Sequence, residues 1–301
     1  MKKVFIITGI SLFILVLAIG GYGFYMYKSV QTTVDAMHQT IDREKSEKRL
    51  EQVDISKKEP LSFLLLGVDA RGADRGRSDT LMVVTVNPKD ESMKMLSIPR
   101  DTYTEIVGRG TNDKINHAYA FGGPEMAIST VENFLDIPID HFITVNMEGF
   151  TEIVDAIGGV TVNNDMAFEY GGYDFNKGEL FLDGSAALAY SRMRYEDPRG
   201  DLGRNDRQRQ IMTAIIQEGA DISNVTKAGD ILDSLGNNMA TDILFSDMMK
   251  ISQNYHPARR NSETIEISGS GGMQGGVWYL FVPEEERLRV SNILRSHLEI
   301  E

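Results

Sequence analysis

The sequence contains no cysteine. Disulfides, thiolate-bound metals and a cysteine nucleophile are therefore excluded. Its five histidines are scattered, and no two stand at zinc-ligand spacing. No G-x-x-x-x-G-K-[ST] run is present, so a P-loop nucleotide site is absent. The G-x-S-x-G elbow of a serine hydrolase is missing too. Positive charge is scarce. Of 31 lysines and arginines, Lys2 and Lys3 precede the first apolar run; the other 29 face 44 carboxylates, a net charge of −15 for the rest of the chain. A body this acidic lacks the broad positive field that a nucleic-acid backbone requires, so no nucleic-acid partner is expected. There is no internal repeat and no low-complexity segment.

One long apolar run is present. Residues 4–26 carry no charge, and as a helix they extend about 35 Å, enough for a bilayer core of about 30 Å. Lys2 and Lys3 lie before the run, which puts the N-terminus in the cytoplasm and everything after Tyr27 outside. A cleaved signal peptide is the rival reading. The run is too long for one and ends in the aromatic border Tyr22, Phe24, Tyr25 and Tyr27, so an uncleaved signal-anchor is favoured. The expected organisation is a cytoplasmic tail at 1–3, a single-pass anchor at 4–26, an extracellular stem at 27–59 and an extracellular domain at 60–301. In the stem, Val30, Val34, Met37 and Ile41 repeat at helical spacing, which also fits packing against the domain.

In the domain, strands are predicted at Leu61–Val68, Thr80–Val86 and Met93–Ile98, the last two joined by the turn Asn87-Pro88-Lys89-Asp90. Further strands are expected at Ile139–Asn146, Val160–Asn163, Ile265–Ile267 and Trp278–Val282. Helices are predicted at Lys114–Phe121, Glu125–Leu135, Gly149–Ile157, from the cap Asp183 toward Arg192, at Asn205–Gly219, 224–235 and 246–254, and at Pro283–Leu298. Strands alternate with helices. The expected fold is α/β, a three-layer α-β-α sandwich around one mixed central sheet, preceded by a single transmembrane helix.

Two clusters carry the chemistry. The first is Asp69, Arg71, Arg75, Arg77, Asp79 and Arg100, at strand ends that can share one rim, where α/β sheets usually bind ligands. The second is Tyr190–Gln210, whose basic residues Arg192, Arg194, Arg199, Arg204, Arg207 and Arg209 are all arginine. Surface charge alone does not need that choice, because the chain supplies it with lysine elsewhere. The planar guanidinium fork suits two oxygens of a phosphate or carboxylate. Arg207 and Arg209 also fit exposed helix positions, Asp197, Asp201 and Asp206 also fit surface ion pairs, and Arg109 reads as a surface residue. If the clusters converge, their fixed cations and carboxylates suit phosphoryl transfer, with carboxylates holding a hard divalent ion.

The ordered set of motifs resembles the LytR-CpsA-Psr family. They are Leu64-Leu65-Leu66-Gly67-Val68-Asp69-Ala70-Arg71, Arg77-Ser78-Asp79-Thr80, Ser97-Ile98-Pro99-Arg100-Asp101, Ile157-Gly158-Gly159-Val160, Ala187 to Arg194 with Gly184 before it, and Asp201 to Gln210. The resemblance is dense from Pro60 to Asp221 and looser beyond. It implies a phosphotransferase that moves an anionic glycopolymer, closest to wall teichoic acid, from undecaprenyl diphosphate to the 6-hydroxyl of N-acetylmuramic acid in peptidoglycan, at the cell membrane. It implies Mg2+ (Mn2+ as a substitute) held by Asp69 and Asp79. Arg71, Arg77, Arg100, Arg192, Arg194, Arg204 and Gln208 would line the diphosphate site, and Arg100, Arg192, Arg194 and Asp201 would carry catalysis. Asp101 is the other candidate base. A long apolar pocket for the polyprenyl tail is implied too. A polyprenyl-diphosphate hydrolase, or a non-catalytic sensor of envelope lipid, fits the same residues.

Overall fold

The structure is a computed structural model and describes residues 21–69, 76–218 and 236–300. Residues 21–37 are helical (α1). Then follow β1 (Leu61–Val68), β2 (Ser78–Asn87), β3 (Ser92–Ile98), the hairpin β4 (Tyr103–Ile106) and β5 (Thr111–Lys114), α2 (His117–Leu135), β6 (His141–Val145), α3 (Met147–Ala156) and β7 (Val160–Asn164). The second half has β8 (Phe168–Tyr170), β9 (Tyr173–Phe175), β10 (Gly178–Leu182), α4 (Gly184–Arg192), α5 (Asp201–Glu218), β11 (Met239–Thr241), α6 (Phe245–Tyr255), β12 (Asn261–Ile265), β13 (Ser270–Gln274), β14 (Val277–Phe281) and α7 (Glu284–His297).

Six strands form the central sheet in the order β11-β6-β1-β2-β3-β12. It is mixed: β1 pairs parallel with β6 and antiparallel with β2, and β12 runs parallel to β3. The near-continuous apolar run of β1 follows from its central place, since both of its faces are covered. Leu64, Leu66 and Val68 point into a core with Ala127, Ile128 and Val131 of α2 and Val290 and Leu294 of α7. Leu61 and Phe63 point to the opposite face, against Ile243, Tyr255 of α6 and Met212 and Ile216 of α5. The period of two thus sets which helix each residue meets. A third apolar cluster joins β7, α4 and α5 around the fully buried Tyr190.

Several details bear on the expectations above. The turn after β2 is held by Asn87, whose Oδ1 accepts from the Lys89 and Asp90 amides at 3.0 and 3.3 Å. The helix expected at Lys114 starts at His117, because Thr111–Lys114 is paired as β5. α2 is broken at Gly123 (φ 69°) before Pro124, which agrees with two helical pieces meeting at Gly-Gly-Pro. α4 begins where expected, with the Asp183 carboxylate accepting from the Ala186 amide at 2.8 Å. The predicted helix at 224–235 lies outside the described residues. So does the apolar run up to residue 20. Among the described residues no helix is long and apolar enough to cross a membrane.

The segment 27–59 packs on the domain along its length. Val34 and Met37 are buried. The Arg43 Nη1 donates to both oxygens of Glu132 at 3.1 Å. Arg49 forms a fork on Asp140, at 3.0 and 2.8 Å.

Candidate active site

The first strand end is shaped by a bulge. Gly67 pairs with Thr80 but Val68 pairs with Ser78, so Asp79 is the extra residue of β2. A bulge re-aims the side chain it carries. Glycine at 67 leaves room for Thr80, whose Cβ would lie 3.0 Å from a Cβ added there. Asp69 follows β1 half-buried, its amide donating to the Arg77 carbonyl at 3.2 Å.

Arg100 follows β3, and its Nη1 donates to Asp79 Oδ1 at 2.9 Å. Its Nε stands 3.8 Å from Asp101 Oδ2. Lys114, from β5, holds the other oxygen of Asp101 at 2.6 Å. Burial alone would lower the Arg100 pKa. The carboxylates of Asp79, Asp201 and Asp101 outweigh it, and the value is raised, so this cation stays charged.

The arginine stretch folds as an elbow. α4 ends at Arg192, and α5 starts at Asp201. Arg194 Nε stands 3.3 Å from Asp201 Oδ1, and Arg204 Nη2 stands 2.9 Å from the same oxygen. These are charge contacts, not aligned hydrogen bonds. Asp201 Oδ1, Arg204 Nε and Arg204 Nη2 are buried and make no hydrogen bond among the described residues. A buried donor without an acceptor is costly unless a ligand supplies one. Burial lowers the Arg204 pKa; Asp201 and Asp79 act against that, while Arg100 and Arg194 add to it. The two sequence clusters therefore meet. Arg100, Asp79 and Asp101 from the sheet share one field with Arg194, Asp201 and Arg204 from the elbow.

Arg77 and Arg192 are exposed, and neither side chain makes a hydrogen bond or ion pair among the described residues. Gln208 lies one turn after Arg204, hence on the same side of α5. Met212 and Ile216 continue that side and pack toward the sheet. The stripe thus runs from cation to amide to apolar over about 18 Å of helix. Arg71 and Arg75 lie outside the described residues. Arg109 is exposed and stacks on the Phe121 ring, 3.9 Å from its centroid.

Sequence reasoning missed two parts of the site. One is Lys114. The other is the pair under the elbow. Asp197 and Arg207 are almost fully buried and meet at 2.6 Å. Arg207 Nη2 also donates to the Met193 carbonyl at 2.6 Å. Arg207 is thus no exposed helix residue: it ties down both sides of Arg194. Burial alone would raise the Asp197 pKa, but hydrogen bonds from Arg207 and Arg199 hold it below the ordinary carboxylate range. Asp206 fits the surface reading, paired with Arg199 and Arg209. The signal for Asp197 was faint: it sits three residues after Arg194 and ten before Arg207 in a stretch already dense in charge.

A mixed sheet with arginines and carboxylates at its strand ends, and a half-exposed arginine elbow closing over them, defines a site for anionic groups of the phosphoryl-transfer kind. The LytR_cpsA_psr family model matches residues 24–296, and the chain belongs to that family. A polyisoprenyl-teichoic acid–peptidoglycan teichoic acid transferase, TagU of Halalkalibacterium halodurans, is 56% identical over the whole of both chains. The crystal structure of Bacillus subtilis TagU matches with a TM-score of 0.66 at 48% identity, covering 81% of this chain and 99% of that one. A structure of TagT bound to LIIa-WTA matches with a TM-score of 0.76 at 33% identity, covering 87% of this chain and all of the other.

Proposed function

We propose that this chain is a phosphotransferase that moves wall teichoic acid from undecaprenyl diphosphate to the 6-hydroxyl of N-acetylmuramic acid in peptidoglycan. The observation that carries it is the convergence of Arg100 with Arg194, Asp201 and Arg204, with buried Arg204 donors that make no hydrogen bond among the described residues. The full-length kinship to transferases of that name supports the same reading.

In this reading the diphosphate lies across Arg100, Arg194 and Arg204, with Arg192, Arg77 and Gln208 at its edge. The polyprenyl tail runs along the apolar end of α5, past Met212 and Ile216. The acceptor hydroxyl attacks the polymer-side phosphorus. A new O–P bond forms as the bond to the bridging oxygen breaks, and polyprenyl phosphate leaves. The arginines stabilise charge on the leaving phosphate without reorganising. Asp201 takes the hydroxyl proton: its Oδ1 is held against Arg194 and Arg204, which leaves Oδ2 to accept the proton. Asp101, held at 2.6 Å by Lys114, serves instead to orient Arg100.

Asp69 and Asp79 suit a hard divalent cation such as Mg2+. Such ions take one or two carboxylates and complete their shell with water and substrate phosphate. Asp79 hydrogen-bonds to Arg100 through Oδ1, which leaves Oδ2 for such an ion. When bound, the ion would add positive charge beside the phosphates. The apolar run 4–26 would anchor the chain in the cell membrane with the domain outside, so enzyme and lipid donor meet in two dimensions.

The test uses the chain with a short polyprenyl-diphosphate-linked glycopolymer and peptidoglycan fragments, with and without Mg2+. The expected product is polymer joined to the fragment through a phosphodiester, seen by mass. Carrier release without conjugate would make the protein a hydrolase, and no turnover with bound lipid would make it a sensor.

A further inference from the structure

Beside the arginine cluster the surface changes character. β4 and β5 form a hairpin in which Tyr103 pairs with Lys114, on the face opposite the buried Thr104 and Ile106. β14 lies alongside: the Leu280 amide donates to the Asp101 carbonyl at 2.9 Å, and Thr102 bridges to Leu280. Alternation along β14 buries Leu280 and turns Tyr279 and Phe281 to the side of Tyr103. Ring centroids of Tyr103 and Tyr279 are 5.0 Å apart, and those of Tyr103 and Phe281 are 5.3 Å apart. All three are half-exposed. Polar groups border them. Gln274 donates to the Tyr103 hydroxyl at 2.8 Å, and the Tyr279 hydroxyl donates to Asp113 at 3.4 Å.

One residue joins this shelf to the reaction site. Lys114 Nζ is 5.9 Å from the Tyr279 centroid and 2.6 Å from Asp101, which borders Arg100. The two regions are therefore contiguous but chemically distinct. The arginine side suits phosphates. The shelf offers rings with hydroxyl handles, and its one ammonium is already paired with Asp101. A polyanion gains little there. A saccharide gains much more: its C–H faces lie on aromatic rings, and its hydroxyl and acetamido groups meet the tyrosine, glutamine and carboxylate edges.

We propose that Tyr103, Tyr279 and Phe281, with Gln274 and Asp113, form the subsite that holds the acceptor glycan, an amino-sugar strand, and present its hydroxyl to the arginine site. This inference rests on the transferase reading above. It assigns the two substrates to opposite sides of Lys114.

The experiment uses the full chain in phospholipid nanodiscs, the polyprenyl-diphosphate-linked donor, and soluble uncross-linked peptidoglycan oligosaccharides as acceptor. Tyr279→Ala and Tyr103→Ala should each raise the acceptor KM about tenfold, while donor KM and kcat stay within about twofold. Tyr279→Trp, which keeps a ring, should restore the acceptor KM. Trp278→Ala removes an exposed ring from the other face of β14 and should change nothing. An unchanged acceptor KM in folded tyrosine variants overturns the subsite, and so does a rise confined to the donor KM. Titration of the same oligosaccharide without donor, followed by NMR, separates this inference from the transferase reading. Binding lost in Tyr279→Ala supports the subsite even if no transfer is seen, and no binding by the wild-type chain overturns it.

Discussion

Two arginines of one stretch have opposite environments. Arg192 ends α4, exposed and without a partner among the described residues. Arg207 is buried, paired with Asp197, bonded to the Met193 carbonyl and 5.3 Å from the Phe168 ring centroid. Removing an exposed, unpaired side chain normally changes stability by less than about 0.5 kcal/mol. Breaking a buried ion pair from one side costs about 3–5 kcal/mol, because a carboxylate is left uncompensated. Arg192→Ala should therefore keep the urea midpoint of the parent and lose about 100-fold in kcat, the scale of one lost charge-stabilising donor. Arg207→Ala should lower the unfolding free energy by about 3 kcal/mol, the low end of that range, because Arg199 still hydrogen-bonds Asp197. Arg207→Lys keeps the charge but not the fork, and should recover only part of it. A stable, inactive Arg207→Ala would instead make Arg207 part of the substrate contact. The choice of arginine over lysine was legible in the sequence, and the structure brings that stretch within electrostatic reach of Arg100 and Asp79. Which of its arginines is buried was not legible. Burial of a helix residue depends on what packs against it, and the packing partner here is a loop held in place by that same residue.

The elements show the same division. β1 lies where expected, at Leu61–Val68, while β2 adds two residues at its start and one at its end, and β3 adds one at its start. These strands are long apolar runs with both faces covered, so their pattern is strong. The β4–β5 hairpin was not predicted. It buries only Thr104 and Ile106 among its central residues, and the rest of its sequence reads as loop. That miss hid the placement of Lys114 beside Asp101 and of Tyr103 beside Tyr279. α5 likewise starts at Asp201, earlier than the expected Asn205. An early start is possible because Gly203 lies against Asp197, where a Cβ would fall inside the carboxylate. At the far end of the domain, α7 is keyed to the sheet by His297. Its Nδ1 is 2.7 Å from Thr85 Oγ1 and its Nε2 is 2.9 Å from Ser92 Oγ. Burial, with Lys94 acting the same way, lowers its pKa from the ordinary 6.5. The unfolded chain then takes up the proton more readily than the folded one. This contribution is fully present above about pH 6.5 and is lost as the pH falls through the lowered folded value. The parent should thus lose thermal stability between about pH 7.5 and pH 5.5, and His297→Gln should lose less over that interval. Equal slopes in the two proteins would remove His297 as the cause.

For the molecule as a whole, the relation of the N-terminal segment to the domain matters most. The polar sequence between the apolar run and Pro60 reads as a spacer, and its helical repeat also reads as packing. In the structure it is fastened at several points. Tyr27 meets Phe245 at 5.3 Å, edge to face. His38 bridges to Thr241, and the Gln39 amide donates to the Thr241 carbonyl at 2.8 Å. Beyond these, Arg43 and Arg49 neutralise Glu132 and Asp140, whose side chains are 9% and 7% exposed. The Asp140 carboxylate also accepts from the Ser62 amide and hydroxyl at 2.9 Å each, so it anchors the start of β1. A chain cut at residue 60 would lose both ion pairs, the hydrogen bond from Arg43 to the Ile139 carbonyl and the burial of Val34 and Met37 together, against a typical total stability of only about 5–15 kcal/mol. Such a truncation should unfold or aggregate, whereas a chain beginning at residue 21 should melt close to the full-length protein. Comparing the two by circular dichroism melting, with Arg49→Met in the longer chain as the single-site counterpart, tests whether 27–59 belongs to the folded unit. A shorter chain that melts like the longer one would return the segment to the role of a spacer. If the segment is part of the fold, the site is held at a set distance from the end of α1 and cannot swing on a flexible tether. On the membrane anchoring proposed above, the arginine elbow would then stand at one height above the bilayer.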